Sequence, residues 1–137
     1  MPIRPFWILL LVLTGCLGQR QAVEDLSGNE DLSYYKFQFV HGTRDGDRLS
    51  AEALISDSSS TLTIDMHFAI GSPTKLESGF WHWTRGIHNS SGSVSARSVT
   101  FLGGQDGPPS IGGSFDLLNP DGLPVYRVNL PVTELKR

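Results

Sequence analysis

Thr61–Ile70 reads "TLTIDMHFAI", and its alternation decides the fold. Leu62, Ile64, Met66, Phe68 and Ile70 fall on one face, while Thr63, Asp65 and His67 fall on the other. Successive side chains of an extended chain point to opposite sides, so period two over this length marks a half-buried strand with one wet face. The same pattern runs outward. "RLSAEALIS" at Arg48–Ser56 gathers Leu49, Ala51, Ala53 and Ile55 against Arg48, Ser50 and Glu52. "YYKFQFVH" at Tyr34–His41 gathers Tyr35, Phe37 and Phe39 against Tyr34, Lys36 and Gln38.

Turn chemistry separates these runs. Asp45-Gly46 is a tight-turn pair, and Asp57–Ser60 and Gly71–Thr74 are polar breaks. "GFWHWTR" at Gly79–Arg85 gives a strand, Asn89–Gly92 a turn, and "SVSARSVTFL" at Ser93–Leu102 another strand. Gly103–Ser110, rich in Gly and Pro, reads as an irregular loop. "IGGSFDLL" and "LPVYRVNLPV" flank Asn119-Pro120-Asp121-Gly122 as a closing hairpin. Pro124 and Pro131 cannot donate to a ladder, which makes the last strand an edge at both its ends. About seven short strands joined by short loops predict an all-β domain over residues 34–137, a single antiparallel β-sandwich or small β-barrel.

The N-terminus is of another kind. Arg4 precedes the apolar run Phe6–Leu13, which is shorter than the roughly 20 residues that span a bilayer. Leu13-Thr14-Gly15-Cys16 follows and holds the only cysteine of the 137 residues. This stretch resembles the lipobox of bacterial lipoproteins. The resemblance implies a signal peptide over residues 1–15, cleavage before Cys16 and a lipid on its thiol. An alternative is a buried thiol near an ordinary cleavage site or uncut anchor. A thioether to lipid removes the hazard of an unpaired thiol in an oxidising compartment, and two or more chains give stable anchoring. Leu17, where the family's retention pattern has Asp, implies the outer membrane. Residues 16–33 carry Glu24, Asp25, Glu30 and Asp31 against Arg20 alone, with no aromatic, and read as the lipidated cysteine and a flexible acidic tether.

Leu118–Leu130, "LNPDGLPVYRVNL", resembles a stretch in the small β-sandwich lipoprotein of type VI secretion machines. There it lies near the start of the domain and here at its end, and hairpins read alike in many proteins, so no property is carried over. The domain itself resembles no known family.

Composition excludes some functions and names none. A net charge of −3 without a basic cluster argues against nucleic acid and against polybasic lipid binding. Asp65 and His67 share a strand face as half a metal site, but His41, His82 and His88 have no fixed place beside them, and solvated histidines explain all four. Asp45-Gly46-Asp47 and Asp121-Gly122 lack the ligands of a calcium loop. No cofactor or metal is expected. Asp65 and Glu52 are a conceivable carboxylate pair for glycan hydrolysis, yet solvated surface acids are the ordinary state of such residues. No serine sits in a Gly-x-Ser-x-Gly elbow, and the chain reads as no enzyme.

The richest local feature is "FWHWTR". Trp81, Trp83 and Arg85 share one face and form a possible binding surface, since exposed tryptophans stack on sugars and partner side chains. Core packing is the competing reading, and the flanking alternation favours Trp81 and Trp83 inward with His82 outward. The sequence therefore points to an outer-membrane-anchored periplasmic lipoprotein with a non-catalytic binding or accessory role, meeting an envelope protein or cell-wall material. The alternative is a small envelope hydrolase or a lipocalin-like carrier with a hollow apolar interior.

Overall fold

The computed structural model describes residues 21–103 and 108–135, so the signal segment, Cys16 and Leu17–Arg20 lie outside the described residues. Eight strands follow in order: β1 Val23–Asp25, β2 Lys36–Asp45, β3 Arg48–Ser56, β4 Ser60–Ala69, β5 Lys75–Arg85, β6 His88–Leu102, β7 Ser110–Leu118 and β8 Pro124–Glu134. All pairs are antiparallel, and the sheet order is β1-β8-β7-β6-β5-β4-β3-β2. The chain thus meanders from β2 to β8, and β1 joins the free side of β8. The all-β reading holds, as one curled sheet.

β6 produces the curl. Its first residues, His88–Ser93, pair with β5, and the remainder from Val94 to Leu102 pairs with β7. One long strand therefore carries the sheet around a corner, as strands that switch sheets do. Where β6 crosses from one neighbour to the other, Gly92 lies beside the Leu118 carbonyl, and a Cβ there would approach that oxygen to 1.8 Å.

Alternation delivers the expected faces. Leu49, Ala51, Ala53, Ile55, Leu62, Ile64, Met66 and Phe68 all point into the curl and are buried. Ile111, Phe115, Leu117 and Val128 meet them from the opposite wall, with the Phe68 and Phe115 rings 6.1 Å apart. Apart from the two alanines, each such side chain contributes about 1.5–3 kcal/mol through burial.

Three expectations are corrected. On β2 the pairing passes from Phe37↔Ile55 to Phe39↔Leu54, so Gln38 is an extra residue in a bulge. Phe39 is thereby turned outward, where its ring lies 4.4 Å from that of His41, and Val40 takes the inner place. The turn expected at Asn89–Gly92 is instead Gly86-Ile87, between the paired residues Arg85 and His88. Gly86 has φ of 60° and no non-glycine residue among those described has positive φ, which is the pattern of a type II′ hairpin with glycine first.

The third correction concerns residues 21–33. This part of the expected tether is built into the domain: Val23 pairs with Val128 and is fully buried, and Leu32 is buried as well. The Asp25 carboxylate accepts the Ser27 N–H, the Ser27 hydroxyl and the Glu30 N–H, folding the link between β1 and β2. Two isolated apolar residues among charges carry no periodicity. The free edge of β8 gives Val23 its place.

Candidate functional site

Trp81 and Trp83 are 2% and 0% exposed, so they lie inward as the alternation favours, and they form no platform. His82, on the other face of β5, is exposed. The Trp81 indole N–H donates to the Leu118 carbonyl at 2.8 Å. The Trp83 indole N–H is buried without a hydrogen-bond partner among the described residues. Tyr35 meets Trp83 edge-on at 5.2 Å, and Tyr126 packs against the same ring at 4.8 Å.

Arg85 completes this plug. Its guanidinium lies 3.7 Å over the Trp83 ring, donates to Glu30 Oε2 at 2.6 Å and reaches the Tyr126 hydroxyl at 3.3 Å. Burial pushes the Tyr126 hydroxyl above its ordinary value, with the Arg85 charge acting the other way. Arg85 therefore closes the end of the curl and ties β5 to the β1–β2 link. The sequence offered no signal for its partner Glu30, which is distant in the chain and belongs to a segment without a pattern.

The outer wall brings together residues that the sequence could place only on faces. Glu52 pairs in register with both His41 and Asp65. Burial, the hydrogen bond to Asp65 and the negative charge of Asp65 push the Glu52 carboxyl above the usual range, while His41 pulls it back. Ser50 Oγ and His67 Nδ1 are 3.1 Å apart beside them, and the four residues with Thr43 border a shallow depression of about 300 Å³. Asp65 turns to Glu52 and His67 turns to Ser50. Among the described residues no group of three or more His, Cys, Asp or Glu is arranged to hold a metal ion.

A larger recess lies along the seam of the curl. Among the described residues β2 pairs only with β3, and β1 covers β8 only from Tyr126 to Val128. Leu135 bridges the gap at one end by packing at Gly42 of β2. The rest forms an open recess of about 1000 Å³, with Tyr35, Lys36 and Phe37 on one side and Leu130–Val132 on the other. Ser98, Thr100, Ser114 and Asn129 extend it over the sheet. Three of these are already engaged: Ser98 Oγ accepts the Ser114 N–H at 3.1 Å, Ser114 Oγ donates to Asn129 Oδ1 at 3.4 Å, and Asn129 Nδ2 donates to Glu24 Oε2 at 2.7 Å. A lining of hydroxyls, an amide, two aromatic rings and one ammonium group suits polar contact from outside. It holds no nucleophile–base pair.

Comparison with protein-family models, with curated proteins and with solved structures finds no match to this chain.

Proposed function

We propose that this chain is an outer-membrane-anchored periplasmic lipoprotein, held by lipid on Cys16, with a non-catalytic binding or accessory role in the cell envelope. Leu13-Thr14-Gly15-Cys16 behind a short apolar run supports the anchor. The observation that carries the binding role is the filled interior of the curl. Trp81, Trp83, Phe68, Phe115 and Met66 occupy the space that a carrier would keep for its ligand. A partner is therefore met from outside, and the seam recess offers one surface for an envelope protein or cell-wall material.

The hydrolase alternative would rest on Glu52 and Asp65. Glycosidases keep their carboxyl groups about 5 Å or more apart to admit sugar or water. Glu52 and Asp65 instead face each other directly across β3 and β4, with a hydrogen bond between them, and this mutual contact supports the binding reading.

Metabolic labelling with an alkynyl fatty acid, followed by membrane fractionation, tests the proposal. The wild-type protein is expected to carry label and to sediment with the outer membrane, and Cys16→Ser to lose the label. Equal labelling of the two, or label confined to the inner membrane, would refute it.

A further inference from the structure

The meander places four connections at one end of the curl: residues 26–35, residues 57–59, the Gly86-Ile87 turn and residues 119–123. Ile87 is 91% exposed, Tyr34 77%, Leu123 61% and Leu26 36%. The other large exposed apolar residues among those described lie on the outer wall (Phe80) or toward the opposite end (Leu102 and Val132).

Folding does not require these tips. Gly86 alone supplies the positive φ of its turn, and Asn119 organises the other by accepting the Asp121 and Leu123 N–H groups, each at 2.9 Å. Small polar residues are the usual occupants of such positions. The loops are also neighbours. Arg85 bridges to Glu30 and Tyr126, and the Leu26 N–H donates to the Val125 carbonyl, so the β1–β2 link, the end of β5 and the start of β8 form one platform.

Charge then selects the occupant. Asp25, Glu30, Asp31, Asp57 and Asp121 lie at this end, against Lys36 and the already paired Arg85. Donors from Ser27, Ser33 and Ser59 hold the carboxyls of Asp25, Asp31 and Asp57 below their ordinary range, so these charges persist at neutral pH. Apolar tips framed by fixed negative charge are repelled by an anionic bilayer. They complement a protein surface with an apolar seat and a basic rim, where the charges steer encounter and the buried side chains hold.

We propose that this end of the domain, through Ile87, Leu123 and Tyr34, docks on a partner protein whose apolar seat is rimmed by Lys and Arg. The inference rests on the binding-module reading above and names the surface and chemistry of its partner.

The test is photo-crosslinking of the full-length protein in its native envelope, with benzoylphenylalanine at position 87, 123, 36 or 102. Discrete protein adducts are expected at 87 and 123 and not at 102. Asp121→Lys should reduce the adduct at 87, and Ile87→Asp should reduce the adduct at 123, each at least about tenfold. Both variants should melt with the wild type, because both side chains are exposed.

Adducts at 36, in the seam recess, but not at 87 or 123 would overturn this inference and leave the binding-module reading standing. Absence of adducts at every position would overturn both. Lipid adducts at 87, a self-adduct of twice the chain mass, yields indifferent to Asp121→Lys, or binding of the purified protein to phosphatidylglycerol–phosphatidylethanolamine vesicles that Ile87→Asp abolishes would each overturn the docking proposal.

Discussion

Replacing Gly92 by Ala adds a single methyl group, and the structure assigns it a large cost. Gly92 pairs with Trp81 across β5 and β6 at the point where β6 leaves one neighbour for the other. An added Cβ would lie 1.8 Å from the Leu118 carbonyl oxygen and 2.9 Å from Trp81 Nε1. Those are the two atoms of the 2.8 Å indole hydrogen bond. A backbone carbonyl at the end of β7 cannot rotate away as a flexible side chain would, so the strand must shift or the bond must break.

Overpacking costs about 1–3 kcal/mol, and a buried donor left unpaired costs about 1–3 kcal/mol more. The sum is a large part of the roughly 5–15 kcal/mol that holds a domain. At this size Tm should fall by about 10 °C or more. Urea unfolding should show a lower midpoint with an unchanged slope, while Ser93→Ala, exposed on the same strand, should stay within about 0.5 kcal/mol of wild type. In a Trp81→Phe background the hydrogen bond is already absent, so Gly92→Ala should cost about 1 kcal/mol less than in wild type. A Gly92→Ala protein within about 0.5 kcal/mol of wild type, or strict additivity with Trp81→Phe, would refute the reasoning.

Two further outcomes follow from the correction to the tether and from the acid pair. A chain beginning at Ser33 loses the buried side chains of Val23 and Leu32, about 1.5–3 kcal/mol each, and should melt more than about 10 °C below one beginning at Gln21; equal melting would show that β1 contributes nothing. Glu52 holds its proton more tightly folded than unfolded, so its contribution is complete below its ordinary value of 4.5 and is lost as pH rises through the raised folded value. Wild type should therefore lose urea resistance relative to Glu52→Gln as pH rises above the ordinary value of 4.5, and parallel curves would count against the raised proton affinity of Glu52.

The sequence by itself determined the wall of the domain. Alternation in "RLSAEALIS", "TLTIDMHFAI" and "GFWHWTR" assigned Leu49 to Ile55, Leu62 to Phe68, Trp81 and Trp83 to the inside, because the two faces of an extended strand are set by local geometry alone. Tertiary structure decided whatever depends on pairing between distant strands. The bulge at Gln38 exists only in register with β3, and it exchanged Phe39 for Val40 in the core. Val23 is an apolar residue in an acidic stretch until β8 offers an open edge, and Arg85 is an ordinary strand-end cation until the same stretch brings Glu30 to it. Glu52 and Asp65 shared a wet face in the sequence, but their contact required β3 and β4 to align residue against residue. Period two is a property of one strand, whereas register, corners and edges belong to the sheet.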